Sequence, residues 1–494
     1  MHPIISLTRK TQEVRNLVII TTGIPKLPSG LFSKAEKEYL KMQKEELKKE
    51  IVSFNRLDYW IFICFLNGEK NSSRRLESCR KAGDTVGLLL NENKIKKVVL
   101  FDQANTPEEV LAFAEGMALG SYQFLKYKNE KKNVNTLKEI EIYSEAISDQ
   151  RSTMKDAVSP VSKLNILIDA VYRCRTLINE PNSYLTATIF AAEVEKLASE
   201  SGMKAEVLNK KKLEALQMGG ILGVNKGSHE PPTFTILEWK PSGAQNTKPL
   251  VLAGKGVVYD SGGMNLKPGN FMQNMKDDMS GGAAVATVMY AVAKAKLPVY
   301  VMGLIPATDN RPGPKAIASS DIIRMFDGST VEIIDTDAEG RLILADALSY
   351  AKKLNPALVI DLATLTGSAV RAIGNFGAVG MQVKAGKEMA DLKEAGDEVH
   401  ERIVEFPMWE EYGELLKSEL ADLKNLGPAE GGSITAAKFL EKFTDYPYIH
   451  LDIAGPAFLE KRDSYRGQGG TGFGVRLLFE FISNKFPIDK ERHT

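Results

Sequence analysis

Between residues 248 and 454 the chain runs repeatedly through long, predominantly apolar segments: KPLVLA (248–253), LPVYVMGLIPA (297–307), VEIID (331–335), PALVIDLA (356–363) and YIHLDIA (448–454). Successive side chains of a strand point to opposite faces, so a strand that is apolar at every position must be covered on both. The intervening stretches SGGAAVATVMYAVAKA (280–295) and RLILADALSYAKKL (341–354) have the length and apolar content of the covering helices. The pattern predicts a large α/β/α domain built on a central mixed, mostly parallel sheet. Ligands of such sheets bind beyond the carboxyl ends of the strands, so reactive side chains are expected there.

Up to about residue 150 the rhythm is shorter: VRNLVIIT (14–21), KAEKEYLKMQKEELKKEI (34–51), YWIFICFL (59–66), KKVVLF (96–101) and TPEEVLAFAEGMALGSYQF (106–124). Alternating strands and helices of this size predict a smaller α/β domain. The polar, poorly periodic segment 141–160 ends at Pro160, and the helix expected after it is broken by Asn179, Pro181 and Asn182. The expected organisation is an N-terminal α/β domain over 1–155, a linking helix over 156–180 and the large domain over 181–494.

Charge alone gives no nucleic-acid or membrane footprint. Lys and Arg number 64 against 63 Asp and Glu, a net of +1. The first 150 residues carry 24 against 20, or +4, which leaves −3 for the remainder. Such a balance reads as a solvated surface. The longest apolar run, Tyr59 to Leu66, is far short of the ~20 residues that span a bilayer, and MHPIISLTRKTQEV lacks the apolar core of a signal peptide. A cytoplasmic protein with no membrane partner is expected. Three cysteines and five histidines are scattered without a CxxC or HExxH, which excludes a disulfide scaffold, a zinc finger and a thermolysin-like site. A metal bound by this chain must be held mostly by carboxylates.

Three segments collect such groups. GKGVVYDSGGMNLKPG (254–269) follows the strand LVLA directly, NMKDDMSGGAA (274–284) opens a helix, and IIDTDAEGRLILADAL (333–348) opens another. Singly each has an ordinary explanation. GKG could cradle phosphate but lacks the rest of a GxxxxGK[ST] or GxGxxG signature; DSGG is a turn; acidic residues suit helix starts. Together they bring Asp260, Asp278, Asp337 and Glu339 to strand ends and helix starts, beside Lys255 and Lys267. Clustered carboxylates repel and raise one another's pKa, a cost that two divalent cations would remove.

These segments resemble the leucyl aminopeptidase family, the two-metal cytosol aminopeptidases, above all in the octapeptide DTDAEGRL (335–342). The resemblance continues through LINEPNSYLT (177–186), GGILGVNKGSHEPP (219–232), DLATLTG (361–367), ADLKNLGPAEGGSITAAKFLEKF (421–443), HLDIAGPAF (450–458) and TGFGVRLL (471–478), covering roughly residue 170 to the end. It implies an exopeptidase that releases leucine-like and other N-terminal residues from short peptides in peptide turnover. It implies two divalent ions, Zn²⁺ or Mn²⁺, Mg²⁺ or Co²⁺. Asp260 and Glu339 would bridge both ions, Lys255 and Asp278 would complete the tighter site, and Asp337 the looser one. Lys267 would stabilise the charge developing on the scissile carbonyl oxygen, and Arg341 would hold a bicarbonate ion acting as general base. Asp278 would also receive the substrate α-amino group. Met275, Thr364, Ala454 and Ala457 are implied as an apolar side-chain pocket, although core packing explains Met275 and the alanines equally well. A homohexamer with inward-facing sites is implied as well.

Two positions depart from the family pattern. Asp335 stands where the motif usually begins with Asn, and Asp277 sits beside Asp278 where a neutral residue is common. Extra negative charge there is expected to alter metal preference or to favour substrates with a basic or small polar second residue. An alternative from another class is a DNA-binding regulatory role, whose sequence support is the +4 balance and the Lys-rich stretch 34–51.

Overall fold

The computed structural model describes residues 2–8, 16–25, 31–66, 69–104, 106–130, 132–147 and 159–488. The chain divides into two compact units. One comprises Met1–Tyr172 with Glu398–His400 and Arg462–Gly467, the other Arg173–Asp397, Glu401–Lys461 and Gln468–Thr494. Most of the expected break, residues 148–158, lies outside the described residues. The helix after it, Pro160–Asn179, is counted with the first unit as far as Tyr172 and with the second from Arg173.

The first unit holds a six-stranded sheet of β1 (Ile4–Leu7), β2 (Leu17–Thr21), β3 (Ile51–Asn55), β4 (Trp60–Phe65), β5 (Lys97–Asp102) and β6 (Glu139–Tyr143) in the order β1-β6-β5-β2-β4-β3. All pairs are parallel except β3 with β4. Val18, Ile19 and Ile20 of the central strand are fully buried, as a strand covered on both faces requires. The helix expected over 34–51 ends at Glu45. Ser33 and Glu36 close a capping box at its start, whereas Ile51–Asn55 buries only Val52 fully and pairs as an edge strand with β4.

The second unit is built on a nine-stranded sheet of β7 (Lys204–Leu208), β8 (Thr233–Trp239), β9 (Leu250–Gly254), β10 (Gly256–Asp260), β11 (Val301–Asn310), β14 (Leu358–Ala363), β15 (Ala378–Val383), β16 (Ile403–Glu405) and β18 (Tyr448–Asp452). The order is β16-β15-β18-β14-β9-β11-β8-β7, with β10 pairing beyond β9 on β11. Neighbours β18, β14, β9 and β11 are mutually parallel, and the antiparallel pairs lie outside this centre. The fold is therefore the α/β one expected, a smaller N-terminal α/β unit and a large unit with a mixed, mostly parallel sheet.

VEIID is the exception. Only Thr330–Glu332 (β13) is strand, and it pairs with β12 (Ile322–Arg324) and β17 (Leu423–Lys424) in a small separate sheet. Val331 is buried while Thr330 and Glu332 are half-exposed, the alternation of a one-sided strand. Central β9, by contrast, exposes none of Leu250–Ala253 by more than 3%. Burying each such side chain stabilises by ~1.5–3 kcal/mol, so the carboxyl ends of β9, β14, β18 and β11 form a rigid edge. The helix Ser280–Lys294, with Ala283 to Val292 all buried, and the helix Gly340–Ala351, with Leu342 to Leu348 buried, start beside that edge.

Candidate metal centre

Sheet order explains which side chains meet. Lys255 is the residue after β9, and its N–H donates to Leu362 O of neighbouring β14 at 3.0 Å. Asp260 is the last residue of β10, in register with Asn310 at the end of β11. Glu339 immediately precedes one helix that covers the sheet and Asp278 lies two residues before the other, and partial positive charge at a helix start favours carboxylates there. The loop between Asp260 and the helix at Ser280 turns at Gly262 with φ +89°; a Cβ there would lie 2.3 Å from Asn265 O and 2.9 Å from Asp337 Oδ1. That turn returns Lys267 to the strand ends.

The result is one compact group. Lys255 Nζ lies 2.7 Å from Asp278 Oδ1, 2.9 Å from Glu339 Oε1 and 3.0 Å from Thr364 O. Lys267 Nζ lies 2.6 Å from both Asp260 Oδ2 and Asp337 Oδ1. Oxygens of Asp260, Asp337 and Glu339 come within 4.8 Å of one another. Lys255, Asp260, Asp278 and Glu339 are all at most 4% exposed.

Four carboxylates and two ammonium groups leave a formal charge of −2 in a site that is buried except on the Asp337 side. Burial pushes the Asp337 carboxyl up to about 7, with Asp260 and Glu339 adding repulsion. Burial raises Asp278 well above the carboxylate range too; Lys255 opposes this, and Glu339 and Asp260 reinforce it. For Lys255 burial works against the charge, but Asp278, Glu339 and Asp260 outweigh it and hold the amine above its ordinary value. Asp260, Glu339 and Asp337 do the same for Lys267. With only carboxylates around it Lys255 is an ammonium; added positive charge is what would free its lone pair.

The donor set fits divalent cations. Asp278 Oδ2 and Glu339 Oε2 are buried without a hydrogen-bond partner, an arrangement a protein rarely tolerates unless something else takes up the lone pairs. Carboxylate oxygens with one amine suit hard and borderline ions.

Arg341 is 4% exposed and donates from Nη1 to Asn425 O at 2.8 Å, while its Nε is buried without a partner. Burial lowers its pKa to about 10, opposed by Glu339, Asp452 and Asp335, so it stays a cation at neutral pH. Of the pocket candidates, Thr364 touches the group directly: its Oγ1 donates to Asp278 Oδ1 at 2.8 Å. Met275 is half-buried in the turn Met275–Asp277 ahead of Asp278, Ala454 is half-buried with its N–H on Asp452, and Ala457 is enclosed at 1% exposure.

Asp335 Oδ1 accepts the N–H of Asp337 at 2.8 Å. An Asn would offer the same oxygen to this turn, which accounts for Asp at a position where Asn is usual. Asp277 is pushed up to about 7 by burial, against the pull of Lys255.

Sequence reasoning assigned no role to three supporting residues, of which Thr336 and Asn425 lie within the quoted motifs and Asn310 lies outside them. Asn310 donates from Nδ2 to Asp260 Oδ1 at 2.9 Å and to Thr336 O at 3.0 Å. Thr336 Oγ1 donates to Gly262 O at 2.6 Å, and Asn425 Nδ2 donates to Asp335 O at 2.6 Å. The only hint in the sequence is that Asn310, like Asp260, is a polar residue ending an apolar strand.

The profile of the cytosol aminopeptidase family's catalytic domain matches residues 172–479, and that of its N-terminal domain matches 68–131. A probable cytosol aminopeptidase of Geotalea uraniireducens (strain Rf4) is 41% identical over 417 residues, 84% of this chain and 83% of that protein. One from Chlorobaculum tepidum is 45% identical over 383 residues, 76% and 75% of the two chains. The solved structure of the bottromycin maturation enzyme BotP in complex with Mn superposes with a TM-score of 0.82 at 28% identity, covering 96% of this chain and 99% of that one. The chain belongs to the cytosol aminopeptidase family and is an aminopeptidase, a metallo-exopeptidase of the hydrolase class.

Proposed function

We propose that the chain is a two-metal aminopeptidase that removes leucine-like and other N-terminal residues from short peptides. The observation that carries this reading is the convergence of Asp260, Asp278, Asp337 and Glu339 on Lys255 and Lys267, with two carboxylate oxygens buried and unpartnered. Lys255, Asp260, Asp278 and Glu339 would hold one ion, and Asp260, Asp337 and Glu339 the other. Bound there, Zn²⁺, Mn²⁺, Mg²⁺ or Co²⁺ would supply a Lewis acid for the scissile carbonyl and lower the pKa of water. The Mn in the BotP complex makes Mn²⁺ the first ion to try.

The chain's own residues account for the remaining demands. Lys267, a cation only 2.6 Å from two carboxylates at the open side of the group, would stabilise negative charge on the carbonyl oxygen in the transition state. Asp278 would receive the substrate's free α-amino group, whose basic lone pair an internal peptide nitrogen lacks, which restricts cleavage to N-terminal residues. Arg341, with a buried unpartnered Nε, would hold bicarbonate, whose part is that of general base. Thr364 borders the side-chain pocket; Met275, Ala454 and Ala457 belong to it by resemblance.

A cytoplasmic location, in keeping with the relatives' name of cytosol aminopeptidase, is part of the proposal, and so is a homohexamer, which rests on the resemblance alone; no helix among the described residues is long and apolar enough to cross a membrane. The DNA-binding alternative gains no support from the relatives. The test is release of p-nitroaniline from leucine p-nitroanilide and a panel of other N-terminal residues. Activity should disappear on chelation and return with Mn²⁺, Co²⁺ or Zn²⁺; no hydrolysis with any of them across the panel would overturn the reading.

A further inference from the structure

Strand β18 carries an unusual polar row. Tyr448, His450 and Asp452 alternate with Ile449 and Leu451, and all five are at most 1% exposed. The first two meet Asp361 of β14, which accepts from Tyr448 Oη and pairs with His450 Nδ1 at 2.8 Å, while His450 Nε2 is buried without a partner. Asp452, a carboxylate at 0% exposure, is different: its acceptors are spent on a turn. Oδ1 accepts N–H groups of Leu365 at 3.2 Å, Thr366 at 3.4 Å and Ala454 at 3.2 Å, and Oδ2 accepts Thr366 Oγ1 at 2.7 Å.

The turn so held joins β14 to the short helix Gly367–Ile373, and its first residue is Thr364. Thr364 grips the metal centre from two sides: its carbonyl accepts Lys255 Nζ at 3.0 Å and its hydroxyl donates to Asp278 Oδ1 at 2.8 Å. Lys255 and Asp278 are the two donors proposed to serve one ion and not the other. A buried charge that gathers three backbone N–H groups and a hydroxyl fixes those groups more firmly than a neutral acceptor would.

We propose that Asp452 is a positioning residue of the aminopeptidase: it anchors the Thr364–Thr366 turn, and through Thr364 it sets the separation and orientation of Lys255 and Asp278. Asp452 touches neither substrate nor metal. It acts on one of the two ion sites and leaves the Asp260–Asp337 side alone, where Asn310 and Thr336 provide the support. This inference rests on the two-metal reading above.

The test is Mn²⁺ titration by calorimetry of the chelator-stripped full-length chain, with KM and kcat for leucine p-nitroanilide alongside. Wild type should bind two ions in two steps. D452A should weaken one step by roughly tenfold or more, the usual effect of removing a group that orients metal ligands, and leave the other step within about threefold. D452N keeps an oxygen for the three N–H groups and should recover most of the lost affinity. A merely structural role would weaken both steps together and show no such recovery. If D452A does not fold by circular dichroism, T366V decides with S433A as its control: T366V removes the bond to Oδ2 together with the Ser433 contact and the Ala369 N–H cap, and it should weaken the same single step by a smaller factor while S433A leaves both steps unchanged. Two wild-type steps in D452A, or in T366V where D452A is unfolded, overturn the role of Asp452 while the two-metal reading stands. A wild-type chain that binds no second ion overturns the two-metal reading itself.

Discussion

Gly340→Ala adds one carbon and should disable the candidate metal centre. Gly340 opens the helix that follows Glu339, and a Cβ built on it would lie 2.6 Å from Lys255 Cε, 2.7 Å from Nζ and 2.8 Å from Cδ. Carbon atoms in contact sit ~3.5–4.0 Å apart, so either the helix start or the lysine must move by about 1 Å. Lys255 is 3% exposed and cannot swing into water. A shift of that size would stretch its 2.7, 2.9 and 3.0 Å contacts with Asp278, Glu339 and Thr364 beyond hydrogen-bond reach. Overpacking costs ~1–3 kcal/mol, and each lost charged hydrogen bond ~1.5–3 kcal/mol, partly recovered by relaxation. We expect a loss of about 2–5 kcal/mol in urea unfolding, and a fall of kcat/KM of at least ~10²-fold, as a 1 Å misplacement of catalytic groups commonly gives. Helix propensity predicts the opposite sign, since Ala is better than Gly by up to ~1 kcal/mol in a helix. A G340A chain as stable and as active as wild type would refute the close approach of Gly340 to Lys255. G243A, where a Cβ meets nothing within 4 Å, is the control and should stay within ~0.5 kcal/mol.

Stability should also report on Asp346, fully buried in the same helix and accepting N–H groups of Ile221 and Phe326. Burial pushes its carboxyl from 3.8 to about 7. The folded state therefore binds more protons than the unfolded state between these values, and this residue's contribution falls as pH rises through the window. The stability of wild type minus that of D346N should shrink from pH 4 to 7 by up to a few kcal/mol; a constant or growing difference would contradict the assigned shift. Lys267→Ala should lower kcat by roughly 10²- to 10³-fold with Mn²⁺ binding retained in calorimetry, and a kcat near wild type would remove Lys267 from the chemistry. Asp335→Asn keeps the oxygen that accepts Asp337 N–H and should retain kcat/KM within about twofold, whereas D335A should lose roughly tenfold through the loosened Asp337, an effect of the size seen when second partners of metal ligands are removed.

Groups close together along the chain are legible in the sequence. Lys255 and Asp260 follow a strand by fixed short offsets, and Asp337, Glu339 and Arg341 share one octapeptide at a helix start, so local geometry alone brings each set together. The continuity of LVLA and LVIDLA announces strands covered on both faces, and both run through the middle of the sheet. VEIID misleads because its apolar residues are short in number, and only pairing with β12 and β17 distinguishes an outlying ribbon from a central strand.

Asn310, Asn425 and Asp452 are not legible in this way, for a physical reason. Each acts on residues 50 to 90 positions away, Asn310 on Asp260, Asn425 on Asp335 and Asp452 on Leu365. No periodicity or spacing in a chain records which strand ends will become neighbours. The sequence by itself determined the chemistry available, four carboxylates and two lysines in a chain without a CxxC or HExxH, and it determined that buried parallel strands would carry them. Only the tertiary structure decided that β9, β14, β18 and β11 lie side by side, that Thr364 reaches between Lys255 and Asp278, and that a glycine must stand against the lysine. Covalent order fixes what is near along the chain; strand order, set by burial of the whole sheet, fixes what is near in space.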